Sequence, residues 1–220
     1  MINKVYILTI KYLRQFPRMW QIKRKKCRAQ YLNSRLATMN TKTSYMSIAA
    51  ANYLVDKALS ENKTLTPIKL IKIVYIAHGW HLAAVGTPLL DEPVEAWKYG
   101  PVIPSIYHAF KKYKSSNITD YAYEYDEYFH ERIKPMLGQS THPDTLFVVD
   151  KAWEAYRKYS GLNLVKKTHE NGTPWYTAWH VENGCNQNGK VISDTSIKEY
   201  YKKILEDTHV EDCNPDGAEK

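Results

Sequence analysis

His78 and His81 stand three residues apart in a stretch with helical periodicity. An H-x-x-H pair on one helix face can hold a transition metal through two imidazoles. No Glu or Asp lies between the two, so the metalloprotease arrangement is missing, and no third ligand can be picked out. The pair sits beside a strong apolar stripe, so packed or hydrogen-bonding histidines fit the pattern better than a metal site. His169 and His180 offer no better ligand set. There is also no G-x-S-x-G, no Walker loop and no G-x-G-x-x-G. Cys27, Cys185 and Cys213 are an odd number without metal-like spacing, so neither a disulfide framework nor a zinc site is indicated. That usage fits a reducing cytosol. What remains is the chemistry of recognition. Trp97, Lys98 and Tyr99 with Lys111, Lys112 and Lys114 would suit stacking on bases and contact with phosphates. A core Trp beside a solvated helix end is the simpler account, because the charge around them is not basic overall.

The formal charge of +8 hides a division. Residues 1–45 hold eleven Lys and Arg and no Asp or Glu, whereas 46–220 hold twenty basic and twenty-three acidic residues. The leader thus carries +11 and the body −3. The run Lys23-Arg24-Lys25-Lys26 reads as an anion-binding arm. An acid-free leader is also what a start codon read too early would give, with Met39 and Met46 as alternatives. No apolar run approaches the length of a membrane helix. Eighteen Tyr and six Trp suit a core and an interface together.

The elements that must position these residues follow from periodicity and punctuation. A first helix is expected over 47–60, with Ser47 as its N-cap. Thr66-Pro67 starts a second, with Leu70, Ile73, Ala77, Trp80 and Ala84 on one stripe, ending before Gly86. Gly79 inside it signals another element packed close. Val94 to Tyr99 reads as a short exposed strand with Glu95, Trp97 and Tyr99 on one face, ended by Gly100-Pro101. A helix opens at Pro104. Tyr121, Tyr123 and Tyr125 alternate with Ala122, Glu124 and Asp126, which suits a strand or an acidic loop. Helices follow over 144–159 and 162–170 and from Pro174. Residues 183–190 read as a polar loop before a last helix capped by Ser193 or Asp194. The fold class is mainly α, a helical domain with one small β element and a basic N-terminal extension. The expected organisation is a leader (1–45), a domain (46–205) and an acidic disordered tail (206–220).

Three blocks carry a resemblance: L-T-P-I-K-L-I-K-I-V-Y-I-A-H-G-W-H (65–81), P-L-L-D-E-P-V-E-A-W-K-Y-G-P-V-I-P-S-I-Y (88–107) and T-H-E-N-G-T-P-W (168–175). In order and spacing they resemble the Panacea domain of SocA-like antitoxins and phage-associated GepA-type proteins. One departure is Ile76, where an aromatic is common. The resemblance implies a cytoplasmic antitoxin without catalytic residues, metal or cofactor. It would bind a cognate toxin encoded beside it and, in one mode, deliver that toxin to a protease. Nucleic acid would enter only through residues 1–45. Lys69, Leu70, Tyr75, Gly79, Trp80, Trp97, Gly100, Pro101, His169, Pro174 and Trp175 carry the motif and would mainly preserve the fold. Glu95, Lys98 and Tyr99 form one candidate contact surface. Tyr121, Tyr123 and Tyr125, in the acidic segment 118–128, form a second, which would steer a basic toxin.

Overall fold

A computed structural model describes residues 46–126, 130–138 and 141–211. The chain divides into two units, Met1–Ser44 and Tyr45–Lys220, and all described residues belong to the second. The basic leader therefore lies outside the described residues, as does the chain beyond Glu211.

The fold is mainly α with small sheets. Its centre is α2 (Pro67–Ala84), which packs against α1 (Met46–Ser60), α3 (Pro104–Phe110), α4 (Pro143–Tyr156), α5 (Gly161–Thr168) and α7 (Asp194–Glu211). Thr66 precedes Pro67 at the first helical position, and Gly86 follows the last turn at φ +90°. The single apolar stripe expected of this helix gives way to burial all round. Every residue from Lys69 to Leu82 is buried, so α2 is wrapped on all sides. Its lysines and histidines had masked that continuity. Gly79 is where α7 comes closest: a Cβ built there would lie 2.1 Å from the Tyr201 ring. That ring meets Trp80 edge-on at 4.8 Å.

Ser47 is not a cap but lies inside α1. The helix N-terminus is served from afar: the Asp91 carboxylate accepts the Ser47 N–H at 2.9 Å, the Met46 N–H at 3.3 Å and the Ser47 hydroxyl at 2.5 Å. The next residue acts alike on α3, where Glu92 accepts the Ser105 N–H at 3.1 Å and its hydroxyl. Both carboxylates suit the positive end of a helix dipole. Together they pin the loop that leads into the first sheet.

That sheet has the order β2–β1–β5, all antiparallel. β1 is Val94–Trp97, β2 is Gly100–Val102 and β5 is Lys190–Ile192. Strand β1 stops at Trp97, so Tyr99 does not share its face; Lys98 and Tyr99 form the turn. Strand β5 follows directly on the polar loop and was not expected. Only three residues long, it is defined by its partner, with Val94 opposite Ile192 and Glu95 opposite Val191. Among the described residues there is a second sheet, β3 (Glu124–Asp126) with β4 (Glu131–Ile133). A short helix, α6 (Pro174–Tyr176), runs into a wider turn over Thr177–Val181. Helix α7 continues past 205 through 206–211, the start of the expected acidic tail.

Candidate functional site

The two histidines of α2 are fully engaged by neighbouring groups. The Leu89 N–H donates to His78 Nδ1 at 3.3 Å, so the proton is on Nε2, which donates to the Asp194 carboxylate at 3.0 Å. His81 Nδ1 faces the Thr87 carbonyl at 2.7 Å and must donate to it, which leaves Nε2 to accept from the Thr145 hydroxyl at 2.9 Å. Burial holds the His81 imidazole below its ordinary pKa, favouring this neutral form. Neither ring keeps a free lone pair for a metal. They fasten α2 to the loop before β1, to α4 and to the start of α7.

The turn between β1 and β2 is closely held. Three of its backbone carbonyls, at alternate residues, each face a side chain from elsewhere in the chain, and two of them accept a hydrogen bond from it. Trp175 Nε1 of α6 donates to the Trp97 carbonyl at 2.9 Å. His169, just past α5, turns its ring toward the Tyr99 carbonyl. Lys72 of α2 donates through Nζ to the Pro101 carbonyl at 2.8 Å. His169 and Trp175 stack on one another, ring centroids 3.6 Å apart and planes 12° from parallel. They are set by the chain between them: the Thr173 hydroxyl donates to the Thr168 carbonyl at 2.8 Å and accepts the Tyr176 N–H at 3.2 Å.

Gly100 makes this closeness possible. Its φ is +100°, and a Cβ there would lie 2.7 Å from Lys72 Nζ and 3.0 Å from Thr168 Oγ1. Lys72 is 1% exposed, and burial pushes its ammonium down to about 7. Burial, and then the neighbouring Lys72, holds the His169 imidazole below its ordinary value.

On this base the turn points its side chains outward. Tyr99 is 64% exposed and Lys98 is exposed, its ammonium 5.8 Å from the Tyr99 ring centre. Glu95 is half-buried beside them and accepts the Trp97 indole N–H at 2.7 Å. Trp97 is half-buried and meets Tyr107 edge-on at 4.9 Å. The structure therefore brings Glu95, Trp97, Lys98, Tyr99, Gly100, Pro101, His169, Pro174 and Trp175 into one region. Lys69 lies elsewhere, donating to the Arg157 carbonyl at 2.6 Å and the Thr64 carbonyl at 3.0 Å. Leu70, Tyr75, Gly79 and Trp80 are buried along α2.

Tyr121, Tyr123 and Tyr125 belong to the other hairpin. Asn52 of α1 anchors it from beneath, donating to the Ala122 carbonyl at 2.9 Å and the Pro135 carbonyl at 2.8 Å and accepting the Ala122 N–H at 2.8 Å. The alternation turns the tyrosines to one face. Ala122 and Asp126 are buried on the other, with Glu124 half-buried between them. The acidic side chains of β3 are therefore turned away from the tyrosine face. In their place stand Arg132, 4.7 Å from the Tyr123 ring centre, and Lys134, 4.0 Å from that of Tyr121.

Sequence reasoning missed Lys72, Asn52, Asp91, Glu92, Arg132 and Lys134. For Lys72 a signal was present, a lysine within an otherwise apolar helix. The others serve partners distant in sequence and left no local mark.

Residues 70–176 match the family model described as Antitoxin SocA-like, Panacea domain. The curated protein Antitoxin SocA of Caulobacter vibrioides (strain NA1000 / CB15N) is 31% identical over 159 residues, covering 70% of this chain and 81% of that protein. No solved structure matches the chain. The family match includes both hairpins and Lys72, His169 and Trp175 beneath the first of them. By this identity and coverage the chain belongs to the SocA-like antitoxin family marked by the Panacea domain.

Proposed function

We propose that this protein is an antitoxin that neutralises a partner toxin by direct contact, with Lys98, Tyr99 and Glu95 as its principal recognition element. The observation that carries the reading is the held turn: two buried donors, Lys72 and Trp175, fix its backbone while Tyr99 stays 64% exposed. A recognition loop fixed before binding loses little conformational entropy when its partner arrives. An exposed Tyr supplies a large contact area with few rotatable bonds. The cytoplasm is the proposed compartment, and 46–205 the proposed working domain.

The test is genetic and biochemical together. Expression of the adjacent gene alone should arrest growth, co-expression of this protein should restore it, and the two products should copurify. A harmless neighbour, or rescue without a complex, would overturn the reading. Delivery of the toxin to a protease is a further step of the same proposal. It requires the toxin's half-life to shorten when this protein is present, and an unchanged half-life would remove it. The +11 leader motivates a second reading, a nucleic-acid-binding regulator. Binding to DNA should then fall steeply with salt and vanish when 1–45 are deleted.

A further inference from the structure

We infer that the tyrosine face of the β3–β4 hairpin is a second docking surface, and that it takes an acidic segment of the partner protein. The inference rests on the proposed antitoxin reading and adds the chemistry of the contact. On this face Tyr125 lies opposite Arg132 in the strand register, and the Arg132 guanidinium reaches over the Tyr123 ring. Lys134 lies over Tyr121. Tyr rings and cations thus share one side of a two-stranded ribbon. Tyr123 and Tyr125 are 42% and 57% exposed, a large aromatic area for so short a hairpin.

The two cations decide the partner's chemistry. Among the described residues neither Arg132 nor Lys134 has a carboxylate within ion-pair distance; each rests on a ring instead. A ring quadrupole attracts a cation without cancelling its charge. The same hairpin holds carboxylates that could have neutralised them, yet Glu124 and Asp126 point to the opposite face. Arg132 keeps its planar fork of donors, which suits a carboxylate in two-point contact. The neighbouring Tyr rings would exclude water around that pair.

A nucleic-acid strand is the poorer fit. A phosphate chain needs a continuous basic track, and this face has two cations. At its Tyr121 end the Asp56 carboxylate accepts the Tyr121 hydroxyl at 2.7 Å, with Asp120 exposed alongside. Those charges would repel a passing backbone but leave a local carboxylate contact at Arg132 and Lys134 possible.

The experiment uses the full chain and the product of the adjacent gene. Carbodiimide couples a lysine amine to a carboxylate only when the two are in contact. Mass spectrometry of the treated complex should find Lys134 joined to an Asp or Glu of the toxin. The double variant Arg132→Glu/Lys134→Glu should bind the toxin at least about tenfold more weakly and lose most of the salt dependence. The control Lys202→Glu/Lys203→Glu, with the same change of charge on exposed α7 positions, should bind like wild type. Unchanged melting of all three proteins excludes misfolding as the cause. A toxin bound equally well by the double variant, or cross-links that avoid Lys134, would overturn this inference and leave the antitoxin reading standing. Failure of the wild-type protein to bind the toxin would remove both. Oligonucleotide binding that disappears in the same double variant would overturn it in favour of a nucleic-acid face.

Discussion

Two hairpins of this chain expose tyrosines, and they are held in opposite ways. The β1–β2 turn is fixed from beneath by Trp175 and Lys72, from different elements and each spending its donor on backbone, with His169 stacked on Trp175. Its side chains are therefore free of structural duty. The β3–β4 hairpin is held by Asn52 and, at its Tyr121 end, by Asp56, both of α1, and its exposed side chains support one another as a ladder of rings and cations. In the first, conformation belongs to the fold and the exposed chemistry can change without disturbing it. In the second, the surface is part of its own support. A fixed turn suits a contact every partner must use, and a ribbon whose surface is part of its own support suits one that adapts.

The sharpest way to break this contrast is at Gly100. Ala there must adopt φ +100° and push against Lys72 and Thr168, and the predicted loss is about 3 kcal/mol of stability in a urea or thermal melt. A loss below roughly 1 kcal/mol would mean that the turn is not held as described. Asn52→Leu should cost somewhat less, about 2 kcal/mol, because three backbone groups of one hairpin lose their partner. Hydrogen exchange should quicken around 121–135 and stay unchanged at 97–101.

Lys72 gives a smaller effect with a defined pH sign. Its ammonium titrates at about 7 in the fold and at the ordinary 10.5 in the unfolded chain. Between those values the unfolded chain holds one more proton, so this group's contribution to stability rises with pH; below about 7 both states are protonated and it is flat. Wild type should gain on Lys72→Met by roughly 1 kcal/mol between pH 7.5 and 8.5. Parallel stability curves for the two proteins would show that Lys72 is not buried as a neutral amine.

What the sequence made legible was local. Thr66-Pro67 and Gly86 mark the ends of α2 because cap and turn chemistry is written in adjacent residues. Gly79 announced a close neighbour, which proved to be Tyr201. What stayed hidden depends on distant partners. Asp91 caps a helix 45 residues earlier in the chain, and no local pattern distinguishes it from a turn acid. Strand β5 exists because β1 offers it an edge. The charge of segment 118–128 was read as a sum, whereas within β3 the pleat turns Glu124 and Asp126 away from the tyrosines. Of the candidate surfaces, Lys98 and Tyr99 stood out by type, but the donors that hold their turn could be found only in three dimensions.

The central claim is that the held turn recognises the toxin through side chains that the fold does not need. Its most direct test is the affinity of Lys98→Glu/Tyr99→Ala for the adjacent gene's product, measured beside the variant's melting temperature. The prediction is at least about a tenfold loss of affinity with stability changed by no more than about 0.5 kcal/mol. Undiminished affinity in a protein that melts like wild type would contradict it.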